Sequence, residues 1–415
     1  MNNIFDPLQS GFKKHHSCET ALVQICNDLL MARDRGECSI LILLDLSAAF
    51  DTVDHEILLN RLQEYCGIDG LVLQWFSSFL AGRTQRVTLG PFQSNPVLLK
   101  YGVPQGSILS PLLFTIYMLP LGKIIQTYHC YADDTQLYMS FKPDTTDPIP
   151  KINTCLAELQ EWMNENCLKL NADKTEVLVI GGQCLTAKQL QTQSMPLRLG
   201  TSDLASSNTV RSLGLLIDGE LNFRSQISAV VKHSFFDLRN IAKIKHLIPS
   251  EVLPTLVHAF ISSRLDYCNA LYAGLPNKDL HSLQLVQNAA ARLLTSQPRH
   301  CHITPILRSL HWLPIKWRIL FKIGMLTFKS LHGLGPGYLE DLLQLRHTSH
   351  NLRSNGSNDL TIPRVQLKTF GSRAFCHAAP TLWNALPNGI KTAPTLDTFK
   401  SKLKSHLFSL AFMST

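Results

Sequence analysis

Three aspartates have the type and spacing to do chemistry. Asp45 closes the aliphatic run 39–46 (SILILLDL), and Asp133 and Asp134 stand 88 residues further on, inside 128–139 (YHCYADDTQLYM). A carboxylate beside a buried apolar run costs several kcal/mol unless it is paired, hydrogen-bonded or bound to a metal. Each has an ordinary alternative: Asp45 as a helix cap, Asp133 and Asp134 as turn residues. If the two segments are neighbours in one sheet, however, three carboxylates converge at one edge with a charge of about −3, which demands divalent cations. Hard oxygen donors select Mg²⁺ or Mn²⁺, and two such ions about 3.5 to 4 Å apart suit in-line displacement at phosphorus.

The elements that must position these groups read as strands interleaved with helices, then mainly helices, an α/β (α+β) arrangement. Residues 18–35 put Ala21, Leu22, Ile25, Leu29 and Leu30 at helical spacing. The run 39–46 predicts a strand buried on both faces, and a helix is expected over 48–66 with Gly67 as its stop. Residues 71–80 predict another helix, 81–99 two strands joined at Gly90-Pro91, and the flanks of Asp133-Asp134 a hairpin. A helix over 151–167, a strand over 176–180, a polar loop over 183–209 and a hairpin in SLGLLIDGELNF follow. From about residue 225 the pattern is helical, and no internal repeat is present.

Composition bounds the rest. The chain has 415 residues, 45% hydrophobic and 17% charged, which excludes wholesale disorder and suggests two or three domains. The net charge of +8 is unevenly spread: residues 1–230 hold 17 basic and 23 acidic side chains, residues 231–415 hold 22 and 8. The second part therefore suits a polyanion. Eleven Cys without a C-x-x-C fit neither a zinc ribbon nor a disulfide framework and read as reduced thiols of an intracellular protein, nuclear or cytoplasmic unresolved. Cys301 beside His300, His302 and His311 reads as a His-rich surface loop. The N-terminus has no signal-peptide pattern, and the most apolar stretch, 108–121, is broken by Pro111 and Pro120 and too short to span a bilayer. A soluble chain with no membrane partner is expected.

Asp45-Leu-Ser-Ala-Ala-Phe-Asp-Thr-Val-Asp-His55, Gly102-Val-Pro-Gln-Gly-Ser-Ile-Leu-Ser-Pro-Leu-Leu-Phe114 and Tyr131-Ala-Asp-Asp134, in this order, resemble motifs A, B and C of the reverse transcriptases of non-LTR (LINE-type) retrotransposons. QSGFKKHHS upstream and LKLNADKTEVLVI downstream extend the likeness from about Leu8 to Asp218, and LKTFGSRAFCHAAPTLWNALP resembles the closing segment of many such elements. The resemblance implies a right-hand polymerase: a remnant of the fingers over 1–37, a palm over 38–220, a helical thumb over 221–300 and a basic C-terminal region over 301–415. It implies an RNA-directed DNA polymerase that uses two Mg²⁺ (or Mn²⁺) ions, deoxynucleoside triphosphates, an RNA template and a DNA primer. Asp45, Asp133 and Asp134 would hold the metals. Phe50 would select against a 2′-hydroxyl, with a core Phe as its alternative, and Gln105 and Gly106 would cradle the incoming nucleotide. Lys174 would protonate or neutralise the leaving pyrophosphate, unless it is a solvated surface Lys. Leu213-Gly214 would form the primer-grip turn, and Arg83, with Arg86, would touch template phosphates, although two Arg on an exposed strand need no such role.

This chain also departs from the pattern. About seven residues precede LQSGF, where the family carries a long fingers region with basic residues and usually an endonuclease, so an N-terminally truncated member is expected; Lys13 and Lys14 are few to replace that grip. Phe370 and Ser372 stand where a basic and an acidic residue are common. In 312–334, Ile315, Ile319, Leu320, Ile323 and Leu326 share one helical face, which fits a core-packing helix as well as a nucleic-acid groove. The alternative to a polymerase is an inactive element-derived protein that keeps the fold and binds nucleic acid. The oligomeric state is open.

Overall fold

A computed structural model describes residues 4–125, 127–143, 148–181, 196–346 and 358–413. The chain forms two compact units, one of residues 1–16 and 40–207, the other of residues 17–39 and 208–415.

In the first unit, β1 (Cys38–Leu44) is buried at all seven positions, as its unbroken aliphatic sequence requires. The helix after it spans His55–Cys66, seven residues later than expected, and ends on Gly67 in the left-handed region. Asp54 caps it by accepting from the Glu56 and Ile57 amides, while Ala48 upstream has a φ of +51° that no right-handed helix contains. A second helix, Gly70–Leu80, follows. Residues 81–99 form one interrupted hairpin: β2 (Thr84–Gln85) pairs with β5 (Val97–Leu98), and β3 (Thr88–Leu89) with β4 (Phe92–Gln93) across Gly90-Pro91. After the helix Ser110–Tyr117, β6 (Tyr128–Tyr131) and β7 (Asp134–Phe141) make the expected antiparallel hairpin, with Tyr131 opposite Asp134.

The helix Ile149–Glu165 buries Ile152, Leu156, Leu159 and Met163 along one stripe, and β8 (Glu176–Ile180) coincides with the expected strand. Of the loop expected over 183–209, residues 183–195 lie outside the described residues. The remainder is a hairpin of β9 (Leu197–Leu199) and β10 (Ser202–Leu204), then β11 (Ser206–Ser207). Leu197, Leu199 and Leu204 are buried, a period-two signal hidden by the polar average around it. The sheet order is β11-β8-β1-β7-β6, so the strand that leads into Asp45 lies beside the strand that begins at Asp134.

The second unit holds the helix Cys18–Asp34, the hairpin of β12 (Thr209–Ser212) and β13 (Leu215–Asp218), and a set of helices running to Met413. Residues on both sides of position 300 belong to it. The helix Ile315–Leu331 packs as a core helix: Ile315, Ile319, Ile323 and Leu326 are buried. Two of its cations are engaged within the unit, Arg318 with Asp266 and Lys322 with Glu19 at 3.0 Å. Among the described residues no helix is long and apolar enough to cross a membrane.

Candidate catalytic centre

The strand order brings the sequence-predicted carboxylates to one sheet edge. Asp45 follows β1, and its backbone carbonyl accepts from the Asn171 amide (2.9 Å) while Ser47 donates to Lys169 O (2.8 Å). These bonds tie the end of β1 to the segment that carries Lys174. The Lys174 Nζ lies 3.7 Å from Asp45 Oδ2, a charge contact longer than a hydrogen bond, from a side chain that is 69% exposed. Asp45 Oδ2 is itself buried and has no hydrogen-bond partner. A carboxylate oxygen with no hydrogen-bond donor and only an exposed ammonium at 3.7 Å is a position that a hard cation suits.

Asp133 occupies the two-residue turn between β6 and β7, and Asp134 opens β7. Asp134 is an exposed residue, yet partial burial of its carboxyl, then the charges of Asp133 and Asp45, push that carboxyl up to about 6. Asp133 and Asp45 are therefore close enough to Asp134 to oppose its ionisation. Among the described residues no three His, Cys, Asp or Glu side chains already stand as a finished metal cage. The donor type is nonetheless right: three carboxylates are the hard oxygen ligands that Mg²⁺ or Mn²⁺ takes.

The loop after Asp45 is zipped to the segment around Gly102. Gly102 N donates to Val53 O (2.8 Å), Val103 N to Phe50 O (2.8 Å), and His55 Nε2 bonds Gly102 O (2.9 Å). Gly102 has φ +86°, and a Cβ there would lie 2.9 Å from Asp51 Cα, so only glycine fits this crossing. Gln105 donates from Nε2 to both oxygens of Asp51 (3.1 and 3.2 Å), and Gly106 has φ +81°. Phe50 stacks on Phe114 with ring centroids 4.7 Å apart and planes at 27°, so its ring is held by packing while remaining half-buried.

Two residues expected at nucleic acid take these places in the fold. Arg83 donates to the carbonyls of Gly102 and, at 3.2 Å, of Leu80, so its guanidinium helps brace the same crossing. Leu213-Gly214 form the turn of β12 and β13 in the second unit, both with positive φ, and Leu213 O accepts from the Tyr267 hydroxyl (2.5 Å).

Sequence reasoning gave no role to Gln9, Ser10, Gly11, Asp51 or Gly102. Gln9 and Gly11 sit directly against the turn that carries Asp133, and Ser10 Oγ bonds the ring of His129 on β6 (2.9 Å). Burial, with the charges of His16 and Lys13, pushes His129 down to about 3, so its ring is neutral at ordinary pH. The available signal was the QSGF string, which has a glycine and an amide side chain where two chain segments must touch.

Comparison with known proteins gives the chain a family. The profile of the family described as reverse transcriptase (RNA-dependent DNA polymerase) matches residues 1–217. The chain is 25% identical over 325 residues to a probable RNA-directed DNA polymerase from transposon BS of Drosophila melanogaster, covering 73% of this chain and 34% of that protein. It is 24% identical over 300 residues to the RNA-directed DNA polymerase from mobile element jockey of Drosophila funebris, covering 70% and 32%. A probable RNA-directed DNA polymerase from transposon X-element of Drosophila melanogaster is 24% identical over 307 residues, covering 69% and 32%. The chain thus spans about one third of the length of these curated relatives.

Proposed function

The chain belongs to the reverse transcriptase family, and from that premise we propose that it is an RNA-directed DNA polymerase of non-LTR retrotransposon origin that extends a primer 3′-hydroxyl on an RNA template. The observation that carries the reading is the strand order that sets Asp45, its Oδ2 short of a hydrogen bond and 3.7 Å from the exposed Lys174, beside Asp134, whose charge is opposed by Asp133 and Asp45. Both are relieved by divalent cations. Asp45, Asp133 and Asp134 are the side chains that would hold two Mg²⁺ or Mn²⁺ ions, which when bound supply acidity to the attacking hydroxyl and charge neutralisation to the leaving pyrophosphate.

In this reading residues 1–37 are a remnant of the fingers, 38–220 the palm, 221–300 a helical thumb and 301–415 a basic C-terminal region, although residues 17–39 and 208–220 belong to the second compact unit. Attack of the 3′-oxygen on the α-phosphorus of a deoxynucleoside triphosphate forms one P–O bond as the bond to pyrophosphate breaks. Phe50, braced by Phe114, faces the sugar and disfavours a 2′-hydroxyl. Gln105, held by Asp51, and Gly106 line the nucleotide site, where the glycine lets backbone approach the substrate. Lys174 neutralises or protonates the departing pyrophosphate. Leu213 and Gly214 grip the primer, and Arg83 stiffens the crossing at Gly102 beside the template.

Primer extension on an RNA template with Mg²⁺ tests the proposal. Incorporation is expected from the folded chain and is lost in Asp133→Ala with the fold retained. A folded wild type that binds template and primer yet incorporates nothing overturns the polymerase reading in favour of nucleic-acid binding without synthesis.

A further inference from the structure

The turn that carries Asp133 does not hold its shape unaided. Ala132, the residue before Asp133, has a left-handed φ of +61°, a conformation that a non-glycine residue adopts at a cost. Opposite it lies Gln9, 123 residues earlier and only 4% exposed. Its Oε1 accepts from the Ala132 amide (2.8 Å) and from the Gly11 amide (2.7 Å), and its Nε2 donates to the Ala132 carbonyl (3.1 Å). One side-chain amide thus satisfies both polar groups of the strained residue, as a neighbouring strand would.

The clamp is itself fixed on both sides. Cys130 N donates to Leu8 O (3.0 Å) and Ser10 N to Cys130 O (2.8 Å), so residues 8–10 run along the outer edge of β6 in a parallel bridge. Gly11 completes it, because a Cβ at that position would overlap the Ala132 amide nitrogen. The pairing asks for an amide specifically. A carboxylate could accept both N–H groups but has no hydrogen for the Ala132 carbonyl, and it would add a fourth negative charge beside Asp133, Asp134 and Asp45.

We propose that Gln9 is a positioning residue for the metal-holding carboxylates: by fixing Ala132 in the left-handed region it aims Asp133 and Asp134, and so sets the affinity of the site for divalent cations. The metal part of this inference rests on the function proposed above; the hold on the turn does not. Ligand carboxylates act only when held within about half an ångström of their working positions, and a turn freed at Ala132 displaces the very next residue. Asp133 and Asp134 would be touched through the backbone, without any contact between Gln9 and substrate.

Gln9→Leu, similar in shape and unable to hydrogen-bond, is compared with Gln9→Glu and wild type in the full chain. Three quantities are read: amide hydrogen exchange of residues 128–136, Mn²⁺ affinity by electron paramagnetic resonance, and the Mg²⁺ dependence of primer extension. In Gln9→Leu, exchange at 132–134 is expected to quicken by about tenfold while the helix His55–Cys66 stays protected, with Mn²⁺ affinity and half-saturating Mg²⁺ both shifted by about tenfold. Gln9→Glu keeps the two acceptor bonds, and its defect is expected to shrink as the pH falls and the new carboxyl gains a proton to donate. Wild-type exchange and metal affinity in Gln9→Leu overturn the inference, as does a Gln9→Glu variant indistinguishable from wild type should Gln9→Leu fail to fold. If wild type extends no primer while Gln9→Leu still loosens the turn, the polymerase reading fails and the positioning role stands.

Discussion

Two aspartates with the same local sequence signal meet opposite fates. Asp45 follows ILILL at the end of β1, and Asp218 closes LLID at the end of β13. Asp218 is fully engaged: its Oδ1 accepts from the Glu220 and Asn222 amides (3.1 Å each) and its Oδ2 from the Phe223 amide (2.7 Å). Those donors lie within five residues, because GELNF turns back over the carboxylate. The chain after Asp45 turns away instead, spending its polar groups on the crossing at Gly102 and leaving Oδ2 buried without a partner.

Other individual charged groups of the two units differ in the same way. In the second, Asp34 accepts from the Gln366 and Leu367 amides, and Arg373 donates to the carbonyls of Leu221, Ala273 and Thr369, so buried charges fasten residues 358–413 to the rest of that unit. In the first, Asp45 at the end of β1 meets the exposed Lys174 only at 3.7 Å, and Asp134 is opposed by the charges of Asp133 and Asp45. A buried charge whose partners come from its own fold stabilises that fold.

The largest expected effect exchanges the two aspartates. Asp218→Asn puts an NH₂ group against the Phe223 amide and removes charge-assisted bonds, which costs roughly 2–4 kcal/mol in urea unfolding. Asp45→Asn is expected to abolish primer extension while changing stability by less than about 0.5 kcal/mol, since its one cation is distant and exposed. A Asp45→Asn variant that is inactive only because it unfolds would erase the distinction.

A second contrast lies within the β6–β7 hairpin and is read by pH. The Asp134 carboxyl is raised from 3.8 to about 6, so between those values the folded chain binds a proton that the unfolded chain lacks, and this group makes stability fall as pH rises. His129 is lowered from 6.5 to about 3, so across that window the unfolded chain binds the extra proton and stability rises with pH. In metal-free buffer between pH 4 and 6 the two slopes oppose each other. Asp134→Asn is expected to steepen the loss of stability in acid, and His129→Gln to flatten it. Identical profiles for the two variants would mean that neither group is perturbed as the fold indicates.

What the sequence made legible was local. The aliphatic run gives β1, the alternating flanks give the hairpin, and the order of the three motifs places the carboxylates at one edge. Three kinds of feature stayed hidden. Gln9 acts across 123 residues and Gln105 reaches Asp51 across 54, distances over which no periodicity operates. Arg83 reads as an exposed strand residue because nothing local reveals that Gly102 brings a carbonyl to it. The leucines of β9 and β10 were submerged in a segment whose average is polar, and the helix after Asp45 starts late because Asp54 outcompetes the apolar spacing before it.

The smallest effect concerns Lys174, where the comparison with the second unit is sharpest. Lys391 is 3% exposed and holds Asp359 at 2.7 Å, a buried pair whose loss would unsettle its surroundings. Lys174, 69% exposed and 3.7 Å from Asp45, contributes little to folding, and Lys174→Ala is expected to change stability by less than about 0.5 kcal/mol. If the ammonium serves the leaving pyrophosphate, the same change lowers kcat by roughly tenfold with KM for nucleotide nearly unaltered, a loss confined to the transition state. Lys174→Arg separates the two ways it could serve: a guanidinium neutralises charge but does not give up its proton, so recovery of rate means neutralisation and continued loss means proton transfer. Equal kcat in Lys174→Ala and wild type assigns Lys174 to the solvated surface.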